Sequence, residues 1–206
     1  MTDVSDRISR RQVDKFAERR AQLANSALRT LSELGYARTS LREIAQNSEF
    51  SHGVLHYYFR DKVELITHCV KQYKAECVTR YDQIVTTSVS ADQLCRDFGI
   101  ALAATCEEDA HLHRLWYDLR NQALFEESFR ADVIEIDKSL ELMIWRIVTQ
   151  YAELSGRPLT VSSATAYGLF DGLFQQALLR HLAKDPAALP ELRTATSQTL
   201  PKLLEP

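Results

Sequence analysis

No apolar run in this chain is long enough to cross a bilayer as a helix, and the N-terminus, MTDVSDRISRR, has no apolar segment behind its charges. Neither a membrane span nor a secretory leader is expected, and the sequence reads as cytoplasmic. Cysteine is sparse: Cys69, Cys77, Cys95 and Cys106 lie far apart with no CxxC pair. Two disulfides are open arithmetically, but a chain with a core of its own and no leader is expected to keep four free thiols. Only six glycines and five prolines punctuate the 206 residues, and four of the prolines fall after residue 185. No glycine-rich phosphate loop, cofactor fingerprint or nucleophile motif is present, so an enzyme has little support. Period-2 alternation is nearly absent, which argues against a sheet.

Apolar residues at three- and four-residue intervals take its place, in a composition 45% hydrophobic and 26% charged. The chain is expected to be all-α, with about nine helices. The first runs from about Val13 to Leu34 with Phe16, Leu23, Ala27, Leu28 and Leu31 on its apolar face and Gly35 as C-cap. Ser40 with Glu43 three residues on marks a capping box, opening a short helix at Leu41 that buries Leu41, Ile44 and Ala45. Ser51 caps a further short helix through Tyr58, and Asp61 with Glu64 caps one starting at Lys62 that continues to about Val85. Later helices are expected near 91–107, 111–126, 128–155, 161–184 and 188–204, with breaks at Gly156-Arg157-Pro158 and Asp185-Pro186. Domains are expected at 1–61 and 62–206; the helix from Lys62 belongs to both and makes a continuous rod between them.

Charge is unevenly spread. The net formal charge is −3, yet residues 1–62 hold 11 Lys and Arg against 8 Asp and Glu, while the rest hold 14 against 20. An anionic partner is therefore expected at the N-terminal end.

The two short helices around 40–59 are the size of a helix-turn-helix, the second too short to stand alone. In SHGVLHYYF, Val54, Leu55, Tyr58 and Phe59 face a core, leaving Ser51, His52, Gly53, His56 and Tyr57 outward. Gly53 in the first turn costs about 1 kcal/mol relative to Ala, a cost that fits a surface another body must approach closely. A major groove of DNA admits such a helix with its N-terminal residues at the base edges.

Residues 17–65 resemble the DNA-binding domain of the TetR family of bacterial transcriptional regulators. The likeness is carried by Leu34-Gly35-Tyr36, Thr39-Ser40-Leu41-Arg42-Glu43-Ile44-Ala45, Ser51-His52-Gly53-Val54-Leu55, Tyr58-Phe59-Arg60-Asp61-Lys62 and Glu64-Leu65. The resemblance implies double-stranded DNA as partner, read at a palindromic operator by a homodimer, and a small organic effector that releases it. It assigns phosphate contacts to Ser51 and Lys62, a backbone or base-edge contact to Arg42, base contacts to His52 and Gly53, and phosphate and sugar contacts to His56 and Tyr57. Two positions depart from the family. His56 replaces a tyrosine, making one contact sensitive to pH. Glu49 replaces a turn glycine, which raises the expectation of a strained backbone there. Arg7, Arg10 and Arg11 read either as an arm along a groove or as a disordered tail.

In the remaining two thirds, Ala164, Gly168 and Gly172 recur every four residues, a strip that lets another helix approach closely. Spacing leaves packing inside one subunit as open as a dimer face; the resemblance, in which these helices form a four-helix bundle across a two-fold axis, favours the dimer. His113, Trp116, Tyr117, Arg120 and Asn121 share one side of the 111–126 helix, and Tyr167, Phe170, Phe174 and Gln175 form a second aromatic group. Aromatic walls with a few polar groups suit an organic-ligand cavity, and equally an ordinary core. His52 and His56 at i, i+4 lack the glutamate of a zinc helix, and Cys106-Glu107-Glu108-Asp109 with His111 and His113 offers another set of ligand types. No metal site is expected. A metal- or thiol-responsive regulator of the same fold is the alternative reading, with an all-α enzyme behind it.

Overall fold

The computed structural model describes residues 2–205, with side chains from residue 13. Ten α-helices make up the described chain: α1 (Thr2–Leu34), α2 (Leu41–Gln46), α3 (His52–Tyr58), α4 (Lys62–Cys77), α5 (Asp82–Thr87), α6 (Ala91–Glu108), α7 (Ala110–Gln122), α8 (Arg130–Ser155), α9 (Ser163–Leu182) and α10 (Ala188–Thr199). Short 3₁₀ turns precede α8 and follow α10. A lone bridge pairs Leu159 with Leu204.

The chain divides into two compact units, 1–73 with 115–133, and 74–114 with 134–206. The dividing line falls inside α4, α7 and α8. The first unit thus contains the whole of the 1–61 segment together with the first part of α4 and residues 115–133.

In the first unit the local rules act as written. Ser40 Oγ accepts the Glu43 N–H at 3.2 Å while the Glu43 carboxylate accepts the Ser40 N–H at 2.7 Å, a complete capping box. Each such cap contributes about 1 kcal/mol. Ser51 caps α3 by accepting the Val54 N–H, and Asp61 accepts the Glu64 N–H at 2.8 Å to start α4. The core is built from Leu23, Leu31, Ile44, Leu55, Phe59, Leu65 and Ile66, all fully buried. Phe16, expected on the apolar face of α1, is 39% exposed and rests on the Tyr58 ring at 4.8 Å. Helix α1 begins at Thr2, well before Val13, and the side chains of Arg7, Arg10 and Arg11 lie outside the described residues.

In the second unit α6 packs on α9 and α10, and α9 on α10. Gly99 is where α6 and α10 come close: a Cβ there would meet the Arg193 carbonyl at 3.2 Å. The single helix expected from Lys62 to Val85 is interrupted at residues 78–81. Arg146 of α8 donates to the Val78 carbonyl and, at 2.8 Å, to Asp82 Oδ1. The Val78 carbonyl, just past the end of α4, is thus engaged from α8, and i→i+3 turns from Arg80 to Cys77 and from Asp82 to Thr79 take over.

Candidate functional site

Helix α3 presents its two faces as the sequence pattern requires. Leu55 and the capping Phe59 are buried, Val54 and Tyr58 are half-buried, and Ser51, His52, Gly53, His56 and Tyr57 are exposed. The His52 and His56 rings meet edge to face at 4.4 Å, one helical turn apart, and Tyr57 is 74% exposed. A Cβ at Gly53 would meet nothing within 4 Å, so no contact inside the chain requires glycine there. Arg42 is exposed at the start of α2. The α3 residues form an outward face carrying hydrogen-bonding groups and the exposed Tyr57 ring.

The turn between α2 and α3 is ordinary backbone. Among the described non-glycine residues only Lys184 has a positive φ, so Glu49 sits without strain where the family has glycine. Phe50 fills the inside of the turn beneath the Arg19 guanidinium, 4.6 Å from its ring centroid.

Behind the helix pair lies a hub that sequence reasoning missed. Gly35 takes φ +79° and turns the chain so that the Tyr36 N–H donates to Asp118 Oδ2 at 2.7 Å. The Tyr36 hydroxyl donates to Glu126 at 2.8 Å, and burial with that carboxylate beside it pushes the phenol pKa up. Lys62 Nζ donates to the Tyr36 carbonyl at 3.1 Å and lies 4.2 Å from its ring centroid. One tyrosine ties the end of α1, the start of α4 and residues 118–126 together. An ammonium so engaged keeps two further N–H donors. No sequence signal links Tyr36 with Asp118 or Glu126, because the partners are 82 and 90 residues away.

The candidate ligand residues fall in both units. In the first, Trp116 and Tyr117 are buried, Arg120 is half-buried and Asn121 is exposed. In the second, His113 is buried with its ring 4.7 Å from Phe174, Phe170 packs edge-on to Phe98 at 5.5 Å, and Gln175 is exposed. The Tyr167 hydroxyl donates to Asp137 at 2.6 Å. Lys74 joins this group from α4, buried, with Nζ 3.4 Å from His113 Nδ1. Burial pulls the Lys74 ammonium down to about 8 and, with Lys74 and Arg80 nearby, holds His113 well below the usual imidazole range. Sequence reading passes over Lys74 because a lysine in an amphipathic helix reads as surface.

On α9, Ala164, Gly168 and Gly172 are all exposed, and a Cβ at either glycine would meet nothing within 4 Å. Packing inside the subunit, left open by the spacing, does not use this strip. Leu169, Leu179 and Leu182 on the same helix are 44%, 71% and 40% exposed, so the strip lies within an apolar surface.

All four cysteines are free and buried. Burial raises the Cys69 and Cys95 thiols and takes Cys106 to about 11, which disfavours the reactive thiolate at neutral pH. Among the described residues no group of three or more His, Cys, Asp or Glu side chains is arranged to hold a metal, and Asp109 of the acidic stretch pairs with Arg80 at 2.6 Å. No helix of the described chain is long and apolar enough to cross a membrane.

Residues 23–69 match the family model described as bacterial regulatory proteins, tetR family. The chain is 23% identical over 170 residues to the HTH-type transcriptional regulator PksA of Bacillus subtilis, covering 82% of each chain. Its fold is similar to that of the Bacillus subtilis transcriptional regulator FadR, solved in complex with stearoyl-CoA, with a TM-score of 0.71 at 16% identity over 87% of this chain and 96% of that one. A regulator from Saccharomonospora viridis solved with choline gives a TM-score of 0.74 at 13% identity, covering 92% of this chain and 100% of its own. The helix-turn-helix, its outward face and the family match all fall on the same N-terminal residues, so residues 23–69 are similar to the DNA-binding domain of the tetR family of bacterial regulatory proteins.

Proposed function

We propose that the protein is a homodimeric repressor that holds a palindromic operator through residues 1–61 and releases it when a small organic molecule binds in the 62–206 body. The observation that carries this reading is the outward surface of α3, where Ser51, His52, Gly53, His56 and Tyr57 are exposed and Leu55 and Phe59 anchor the helix from behind. His52 and Gly53 would meet base edges, Arg42 a base edge or the backbone, and Ser51, His56, Tyr57 and Lys62 the phosphate and sugar. A seven-residue helix gains little affinity alone, and a two-fold dimer presents two of them to half-sites one helical turn apart. The exposed Ala164-Gly168-Gly172 strip supports α9 as the dimer contact.

The effector would lie in the second unit among His113, Tyr167, Phe170, Phe174 and Gln175, with Lys74 added to that set. Buried aromatic walls beside a buried ammonium and imidazole suit a mostly apolar molecule with an anionic end. Such a ligand acts only through a difference in affinity between the DNA-bound and released arrangements of the dimer. Structures of this fold hold stearoyl-CoA in one regulator and choline in another, so the fold accommodates effectors of unlike chemistry.

Fluorescence anisotropy of the full chain on DNA from its own upstream intergenic region tests the proposal. Saturable binding at two subunits per site, stronger than on random duplex and abolished by His52→Ala with Tyr57→Ala, is the expected result. Equal binding to random and intergenic duplex overturns it.

A further inference from the structure

A groove of about 440 Å³ in the first unit lies on the flank of α4, between Arg20 of α1 and the residues around Ser128 and Asp132 that begin α8. It is not part of the outward surface of α3 or of the candidate effector residues. Two of its lining side chains carry buried hydrogen-bonding atoms with no partner among the described residues: Arg20 Nε and Thr67 Oγ1. Thr67 is only 7% exposed, and buried polar atoms in native proteins are satisfied in the great majority of cases. Guanidinium Nε is a donor only, and a hydroxyl is able to donate, so both can be satisfied by an oxygen acceptor.

The acids lining the same groove are already taken. Asp61 accepts the Glu64 N–H at 2.8 Å, and Asp132 pairs with Lys71 at 2.7 Å. Glu64 accepts from Arg20 at 3.0 Å and from the Arg60 N–H and Nε at 2.9 and 3.1 Å. Although burial works against its charge, these hydrogen bonds hold the Glu64 carboxyl below its ordinary value. Three carboxylates therefore balance Arg20, Arg60 and Lys71 in charge, while the two guanidinium groups keep donors to spare. His68 borders the groove, its ring 5.6 Å from that of Phe59. Burial first, and then the Arg20 and Lys71 charges against an opposing Glu64, lower its pKa. The groove combines surplus donors with balanced charge.

From these buried donors and their surroundings we propose that the groove between α1, α4 and the start of α8 binds a small oxyanion, a phosphate or carboxylate, received by Arg20 Nε and Thr67 Oγ1 beside His68. Bound there, the anion joins α1 to α4, the two helices that flank the helix-turn-helix. Its charge stabilises the His68 imidazolium and moves the titration of that ring back up.

The test is an NMR titration of the full chain with inorganic phosphate, with citrate, and with sodium chloride at matched ionic strength. Saturable shifts centred on Thr67 and His68 with phosphate or citrate, absent with chloride, and a higher His68 pKa are expected. Citrate acting without phosphate assigns the groove to carboxylates, and the reverse assigns it to phosphates; both support the site. Thr67→Val removes a hydroxyl that makes no bond inside the protein, so the unfolding midpoint should hold or rise while oxyanion affinity falls at least fivefold. Shifts that do not saturate, that chloride reproduces, or that Thr67→Val leaves untouched overturn the proposal. So does a saturable response confined to the exposed residues of α3.

Discussion

Two exposed helical strips, one on α3 and one on α9, share an oddity: each carries glycine at a position where a side chain would meet nothing. Gly99 in α6 shows what a glycine needed inside the fold looks like, with the Arg193 carbonyl 3.2 Å from where its Cβ would stand. Gly53, Gly168 and Gly172 have no such neighbour, and each costs about 1 kcal/mol of helix stability relative to alanine. The surroundings separate the two strips. Around Gly53 stand Ser51, His52, His56 and Tyr57, all hydrogen-bonding groups suited to a hydrated, charged groove. Around Gly168 and Gly172 stand Ala164, Leu169 and, further along, Leu179, which suit another apolar helix. Small residues announce that something approaches; the chemistry beside them tells what it is.

The largest effect is expected where the α9 strip is blocked. Gly168→Trp adds bulk into open space, so the chain should still fold, and light scattering at micromolar concentration should report a monomer with operator affinity down at least 100-fold. A dimer that persists with full DNA binding removes α9 from the interface. Next comes His52→Ala, expected to cost about 1–3 kcal/mol on the preferred site and to relax base preference at one position, read by competition among site variants. An unchanged preference would mean that α3 does not read bases. Lys62→Ala should weaken binding to all sequences and reduce the salt slope by about one, while also lowering the unfolding midpoint through the lost Tyr36 contacts. An unchanged slope would confine Lys62 to its internal role.

Smaller, but sharper in sign, are the glycine-to-alanine replacements. Gly53→Ala should raise the unfolding free energy by up to about 1 kcal/mol in the absence of DNA and weaken operator binding. Gly168→Ala should instead weaken self-association, since in the proposed dimer a second copy would fill its open space. Equal stabilisation by both, with no loss of binding or association, would erase the distinction between the strips.

A pH effect follows from the second unit and from His68. The folded-state pKa of His113 and of His68 is depressed, so the unfolded chain binds the extra protons as pH falls through about 6.5. Stability from both rings is present above that pH and declines below it. Thermal melts from pH 7.5 to 5.5 should show this fall, reduced in His113→Phe. A flat profile would contradict the burial of His113.

What the sequence discloses and what it hides divide along physical lines. The capping box of Ser40 and Glu43 and the split faces of α3 are local, and propensity with periodicity is enough to read them. The end of α4 at Cys77 is not local: Arg146, 68 residues away, holds the Val78 carbonyl. Tyr36 likewise needs Asp118 and Glu126, and Lys74 is buried against the expectation for its residue type. Aromatic spacing picked out His113 and Phe174, which do meet, and also Asn121 and Gln175, which are exposed, because a helical stripe marks a face and not what stands opposite. The outward face of α3 is legible in the sequence because the apolar positions Val54, Leu55, Tyr58 and Phe59 leave Ser51, His52, Gly53, His56 and Tyr57 on the other side.

Selection of bound duplexes from a random pool by the full-length protein tests the central claim most directly. The account predicts a two-fold symmetric motif with half-sites about one helical turn apart, degenerate at matching positions in both halves when His52→Ala replaces the parent. A pool that yields no motif, a single asymmetric one, or the same motif from His52→Ala would contradict it.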